Sequence, residues 1–494
     1  GQSDGSEHYE TQLIDNQLNV INSWFYDTGP ASIAYLTPDS ILFLPCKVNQ
    51  NQGAGPNGGR IKKLDWEGNI IWDYVMPENI CKPHHDIAVL PNGNILVICS
   101  EEKTEQEALN AGIENINGPM RLDMILEIEP VGLNDMNILW EWHYWDHLVQ
   151  DINMNLDNYG QISENPQLLD INVSQSGGGE NGIADWNHCN AISYNPILDQ
   201  IVLSSRHMDE FYVIDHSTTT EEASSHSGGN YGNGGDFLYR WGNPQNYHRG
   251  NASNQILKSP HGINWIPNGY PGGGNFIIFN NEHSNNSSAV LEIIPPMNAD
   301  GTYEIDAINP FGPSSYNWIY QSNFYSDKQS GAFRLPNGNT IITATTDDFI
   351  VEVNEVNNIE WTYPGELRTA RAIKYSHDYF NNESECNLTT DDILGPYYFE
   401  NAPIRNIIAH QDEPGQRLFI SGRIMQDNCE YPISGSMIEV WHPNDAGCYS
   451  IVEDCNTGNP ENDYFNLRGK FFSDDNGYYY FESILPGHYG TRPR

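Results

Sequence analysis

KPHHDIAVLPNGNILVICS, residues 82–100, sets two apolar runs on either side of a Pro-Asn-Gly-Asn turn. Alternating runs joined by such a turn signal a β-hairpin. The same grammar recurs at 31–45 (ASIAYLTPDSILFLP), 190–204, 261–279 and 331–343. Each hairpin is followed by a third strand and then by a strand carrying a tryptophan: Trp72, Trp140, Trp241, Trp318 or Trp361. A repeated four-stranded unit predicts a β-propeller, whose radial packing protects most strand edges. A further tryptophan strand, NVINSWFYD with Trp24, lies near the N-terminus, and an inner strand without a tryptophan partner, TARAIKYSHDYF, lies at 369–380. Joining these halves predicts an all-β, six-bladed propeller over residues 1–383, closed by strands from both ends of the domain. The tryptophans are assigned to blade packing, not to chemistry.

Composition narrows the function classes. Twenty-three Lys and Arg stand against 66 Asp and Glu, a formal net charge of −43. Such a chain repels nucleic acid and anionic lipid, and no basic run offsets it. No apolar run approaches the roughly 18 residues of a spanning helix. The chain begins at Gly1 without an initiator Met or apolar leader, as expected of a mature secreted product, so an extracellular, periplasmic or cell-surface location is expected. Of eight cysteines, Cys448 and Cys455 are spaced for a local disulfide loop, and zinc-type CxxC spacing is absent. The sequons at Asn172, Asn251, Asn285, Asn286, Asn382 and Asn387 are what an Asn-rich chain produces by chance.

Aligning the repeats locates a site. The first strand of each blade lines the central channel, so equivalent positions face one another. Three blades carry histidine at the mouth of this strand: His85 in KPHHDIAVLPNGN, His188 in DWNHCNAISYNP and His261 in SPHGINWIPNG. The end of the second strand adds Arg206 in VLSSRH, with Asn280, Asn281, Thr345 and Thr346 at corresponding places. An Arg fork with neutral Asn and Thr donors suits a sulfo or phospho group. Taken singly, each histidine reads more readily as a strand cap or ligand of structural water; three in register with an arginine read as a site. Three imidazoles also fit a zinc centre, against which the Arg206 charge counts. Period-two alternation turns His84 and His207 away from the channel.

The strings HHD (84–86), NHCN (187–190), SSRH (204–207) and SPHG (259–262) resemble the aryl-sulfate sulfotransferase family over about residues 20–380. The resemblance implies transfer of a sulfo group from an aryl sulfate to a phenol with no nucleotide donor and no cofactor, consistent with the lack of a Gly-rich phosphate loop. It implies His261 as the nucleophile that is transiently sulfated, and His85, His188 and Arg206 as binders of sulfo oxygens and handlers of protons. Asn190, Asn280 and Thr345 are the expected substrate-binding neighbours. An eight-bladed quinone-cofactor dehydrogenase, suggested by the repeated tryptophan strands, does not fit six blades and three channel histidines.

After a polar linker at 384–394, residues 395–494 read as a small β-sandwich with turns at Asp-Asn-Gly and Pro-Gly. GPYY (395–398), the run from IEVWH to GCYS, LRGKFFSDDNGYYYF and ILPGHYGTRPR resemble the catalytic domain of intradiol ring-cleavage dioxygenases. That resemblance implies a ferric ion held by Tyr449, Tyr489 and two histidines, a catechol substrate, and Arg492 as the group that stabilises substrate charge. The family's His-x-His pair follows the RP motif, and this sequence ends at Arg494. The expectation is therefore an incomplete sandwich that lacks two ligands and its last strand. Iron binding is expected only if the chain continues. Together the resemblances imply a secreted enzyme of phenolic metabolism; a non-catalytic propeller binding sulfated ligands, with a structural sandwich, is the alternative.

Overall fold

The computed structural model describes residues 9–48, 58–173, 184–284, 286–298, 300–365, 369–376, 379–380, 397–410, 412–426, 432–449, 465–474 and 477–487. The chain divides into two compact units, Gly1–Phe380 and Asn381–Arg494.

The first unit contains five blades of four antiparallel strands in chain order, the second of which also carries Ala184–Asp185 in parallel beside Met120–Val131. They comprise Tyr35–Leu36, Leu42–Lys47, Gly59–Leu64 and Ile70–Val75; Lys82–Val89, Ile95–Lys103, Met120–Val131 and Asp135–His143; Cys189–Asn195, Gln200–Ser205, Glu210–Asp215 and Tyr239–Trp241; His261–Trp265, Phe276–Ser284, Ser287–Ile293 and Trp318–Tyr320; and Gly331–Arg334, Thr340–Ala344, Phe349–Val353 and Ile359–Thr362. Each successive pair of sheets shares an apolar core. This is a propeller arrangement, with the tryptophan strand outermost in each blade.

Five blades form, not the six expected. The N-terminal strands Tyr9–Ile14 and Val20–Tyr26 pair only with each other. The described residues of 369–380 form no strand. Their backbone is engaged elsewhere: Ala370 O accepts from Ser330 N and the Thr345 hydroxyl, and Ala372 N donates to the Thr343 hydroxyl. The segment straps the fifth blade to the first, because the Tyr375 and Tyr379 hydroxyls bond Leu36 N and O.

Indole N–H groups link each sector to the next. Trp24 donates to Asp65 O, Trp72 to Asp135 O, Trp140 to the Thr218 hydroxyl, Trp241 to Pro313 O and Trp318 to Glu355 O, at 2.7–3.1 Å. The circuit closes where Trp361 donates to Asn16 O in the N-terminal hairpin at 2.9 Å. These tryptophans therefore pack and register the blades.

Asp86, 1% exposed, ties the inner strands together. It accepts from the Tyr35 hydroxyl of the first blade (2.8 Å), from Ile192 N of the third (3.3 Å) and from Arg371 of the closing segment (2.6 Å). Gly262 and Gly331 leave room for the Arg371 chain, since a Cβ at Gly331 would lie 2.5 Å from Arg371 Cδ. A disulfide, Cys81–Cys99, joins the first two strands of the second blade.

The second unit is β-rich. Arg417–Arg423 pairs with Tyr478–Ile484, and Met437–Trp441 with Arg468–Phe472. Side chains of both two-stranded sheets share one core, which includes Ile408, Phe471 and Phe481. Cys448 is disulfide-bonded, and Cys455 lies outside the described residues.

Removing Asp86 strands a buried guanidinium. Asp86→Ala is expected to cost about 3–5 kcal/mol, whereas Lys258→Ala, which removes an exposed ion pair, stays within about 1 kcal/mol. Urea denaturation of the three proteins checks both values.

Candidate functional site

The inner strand is interrupted at the same place on three blades. Pairing with the second strand shifts register between Pro83 and Ile87, between Cys189 and Ala191, and between His261 and Asn264. His85 and His188 adopt left-handed backbone conformations, at φ 55° and 51°, as does Gly262 at 68°. Bulges of this kind re-aim side chains. The ladder thus breaks where the histidines enter the channel.

The imidazoles form one cluster. The rings of His85 and His188 lie 4.7 Å apart, and those of His188 and His207 are equally close. His261 and Arg206 bear electrostatically on the same group. Each ring is held through Nδ1. His261 Nδ1 donates to Asn281 Oδ1 at 2.8 Å and to Ser259 O at 3.1 Å. His188 Nδ1 bonds Asp185 Oδ2 at 2.6 Å, and His207 Nδ1 bonds Asp185 O at 2.8 Å. His84 Nε2 meets Asp123 Oδ1 at 2.9 Å, and its Nδ1 meets His85 Nδ1 at 2.8 Å. With neutral rings, the Asp123 contact places the His84 proton on Nε2. Its Nδ1 then accepts from His85 Nδ1–H. His85, His188, His207 and His261 accordingly keep Nε2 as an unspent lone pair.

Burial and neighbouring charges disfavour the protonated forms of His85, His207 and His261. Burial, opposed by the Asn281 hydrogen bond and aided by the Arg206 and His188 charges, pushes His261 down to about 3. Burial and the neighbouring imidazoles put His85 well below the usual histidine range. Burial would raise Asp185, but its His188 hydrogen bond and the His188 and His207 charges hold it at about 2. Arg206 N donates to His188 O, and its buried Nε has no hydrogen-bond partner among the described residues. A buried unspent guanidinium donor costs free energy until an acceptor arrives.

The remaining expected residues act as braces. Asn190 donates to Pro260 O and accepts from the Ser204 hydroxyl, fixing the residue that precedes His261. Asn280 holds Ile256 O and Lys258 N, while the next residue, Asn281, contacts His261. Thr345 binds Ala370 O and Ser330. His84 and His207 do not turn away from the cluster: the bulge and left-handed His85 break the alternation at His84, and His207 lies in the turn after Gln200–Ser205, where alternation no longer applies. Asp123 and Asp185 escaped the sequence reading because they lie outside the hairpin repeat. Their signal was proximity in chain for Asp185, three residues before His188.

Residues 48–309 match the family model described as Arylsulfotransferase (ASST). The chain belongs to the arylsulfotransferase family. The match covers the strands that carry His85, His188, Arg206 and His261. Residues 393–494 match the model described as Dioxygenase, so an intradiol dioxygenase domain is fused C-terminally to the arylsulfotransferase domain. The chain is 32% identical over 161 residues to catechol 1,2-dioxygenase of Candida albicans, which covers 29% of this chain and 50% of the relative. It is 29% identical over 144 residues to hydroxyquinol 1,2-dioxygenase of a Rhizobium species, covering 28% and 46%. A solved intradiol ring-cleavage dioxygenase from Tetranychus urticae is 32% identical, covering 20% of this chain and 51% of that one, with a TM-score of 0.18. The chain thus spans about half the length of these relatives.

In the dioxygenase domain, Tyr449 is half-buried, with its ring stacked on Tyr397 at 4.2 Å and near the Arg468 guanidinium. Tyr489 and Arg492 lie outside the described residues. The described residues supply one phenol donor and no assembled ligand set for iron.

The depressed His261 pKa has a stability consequence. Below about pH 6.5 an unfolded histidine takes a proton, whereas folded His261 takes one only near pH 3. The unfolded state therefore binds more protons across this window, and stability falls as pH falls. The stability of wild type relative to His261→Gln should decline from pH 6.5 towards 3, read by denaturant titration at stepped pH.

Proposed function

We propose that the propeller transfers a sulfo group from an aryl sulfate to a phenol through a sulfo-histidine at His261. The observation that supports this most is the tautomer of His261. Two carbonyl acceptors hold its Nδ1–H, so Nε2 presents a lone pair. An imidazole kept neutral down to about pH 3 is a free nucleophile at neutral pH. Its low basicity also makes it a competent leaving group in the second half-reaction.

The steps follow from the cluster. His261 Nε2 forms a bond to sulfur while the S–O ester bond breaks and its electron pair passes to the aryl oxygen. Arg206 Nε, unspent in the free protein, donates to a sulfo oxygen and stabilises the charge that spreads over the group. A proton on His188 Nε2 is placed to pass to the departing phenolate. The Asp185 carboxylate on Nδ1 orients that ring and offsets its positive charge. In reverse, an acceptor phenol gives its proton to His188 and attacks sulfur, and the N–S electron pair returns to His261.

The C-terminal domain is proposed to act on catechols, with ferric iron, in a chain that supplies its full ligand set. The Cys81–Cys99 disulfide and the disulfide-bonded Cys448 support an oxidising, extracellular or periplasmic location. Both domains then serve phenolic substrates.

A chromogenic aryl sulfate, supplied with and without acceptor phenol, tests the propeller reading. Acceptor-dependent phenol release should fall by about 10^4-fold or more in His261→Ala, by about 10^2–10^4-fold in His188→Ala, and by about 10^2–10^3-fold in Arg206→Met. Equal release by wild type and His261→Ala would overturn it. Binding without turnover would favour a ligand-binding platform.

A further inference from the structure

Apart from the channel site, two histidines and one carboxylate meet in the third sector of the propeller unit. His147 lies in the short helix Tyr144–His147, and His226 and Asp236 flank a glycine-rich segment. His147 Nδ1 is 2.8 Å from Asp236 Oδ1, and His226 Nδ1 is 2.7 Å from the same oxygen. All three donor atoms lie within 4.8 Å of one another. His147 is fully buried and the Asp236 side chain nearly so, whereas His226 faces solvent.

The other ring nitrogen of His147 decides the chemistry. Its Nε2 is 2.9 Å from Ala223 O, an atom that can only accept, so Nε2 carries a proton. The neutral ring then has a bare Nδ1 lone pair facing a carboxylate oxygen at hydrogen-bond distance. Two acceptors hold that distance only with a cation between them, either a second proton or a metal ion. An imidazole anchored to a carbonyl through one nitrogen and presenting the other is the arrangement of a metal-ligating histidine.

The surroundings are built around this ring. Trp142 stacks on His147 with an interplanar angle of 8°, and its indole N–H donates to Gly235 O at 2.7 Å. A Cβ at Gly235 would lie 2.6 Å from His147 Nε2 and 2.0 Å from Ala223 O, so only glycine lets the chain close over the ring. We infer that His147 Nδ1, His226 Nδ1 and Asp236 Oδ1 bind a divalent transition-metal ion of the zinc class, which clips the 219–236 segment onto the Trp142–His147 strand end. Zinc takes such N,O donors at about 2.0–2.2 Å, which spreads the ligand atoms to roughly 3.3 Å in a tetrahedron. The exposed His226 can supply that movement and the access route. With three protein donors, at least one coordination position stays open to water. This site stands apart from the His261 cluster, and its reading is independent of sulfo transfer.

Metal content of the full chain after equilibration with zinc chloride and desalting tests the inference, with His226→Ala as the variant because its side chain is exposed. Wild type should hold one more equivalent of zinc than His226→Ala, and cobalt(II) should give a visible d–d band that the variant lacks. Chelation should lower the Tm of wild type and leave that of the variant unchanged. Equal zinc content in the two proteins, with Tm insensitive to zinc and chelator, would overturn the inference.

Discussion

The Asp86 carboxylate carries the inner ring of the propeller. One nearly inaccessible side chain receives the Tyr35 hydroxyl, the Ile192 amide and the Arg371 guanidinium, which come from the first blade, the third blade and the closing segment. A buried charge persists only when paired and hydrogen-bonded, so these partners are obliged to converge. The residue before it is His85. The same strand interruption that turns Asp86 towards its partners thus brings His85 against His188, and structural and chemical requirements meet at adjacent positions.

Around this centre, closure of the ring is achieved without a regular sixth blade. Indole N–H bonds run from each sector to the next and end where Trp361 meets Asn16. The side chains of 369–380 then fill the gap: Tyr375 and Phe380 pack with Trp24 and Leu36, and Arg371 reaches Asp86. Burial, not a ladder, holds the two ends together. The cluster inherits a rigid frame in which His85, His188 and His261 are anchored through Nδ1, a preorganisation that suits electrostatic and nucleophilic catalysis.

Much of this was legible in the sequence, for identifiable reasons. The Pro-Asn-Gly-Asn hairpins and tryptophan strands are local signals, and they marked the five blades directly. The histidines at His85, His188 and His261 stood out because repeat alignment places them at one level. The sixth blade failed because TARAIKYSHDYF has strand-like alternation but spends its backbone on Ser330, Thr343 and Thr345. His84 and His207 were misdirected because alternation assumes an unbroken strand: the left-handed His85 breaks it at His84, and His207 lies in the turn after Gln200–Ser205. Asn281 rather than Asn280 meets His261, a difference of one residue that period-two reasoning resolves only when register is known. The partners Asp123 and Asp185 enter from outside the repeat, where no periodicity points.

The central claim is that His261 Nε2 is the atom that receives the sulfo group. Wild-type protein mixed with excess aryl sulfate and no acceptor, quenched rapidly and analysed by intact-mass and peptide mass spectrometry, addresses it directly. The account predicts a mass increase of one SO3 unit, localised to the peptide containing His261, absent from His261→Ala and discharged by added phenol. Turnover of the aryl sulfate with no such adduct, or with the adduct on another residue, would contradict it.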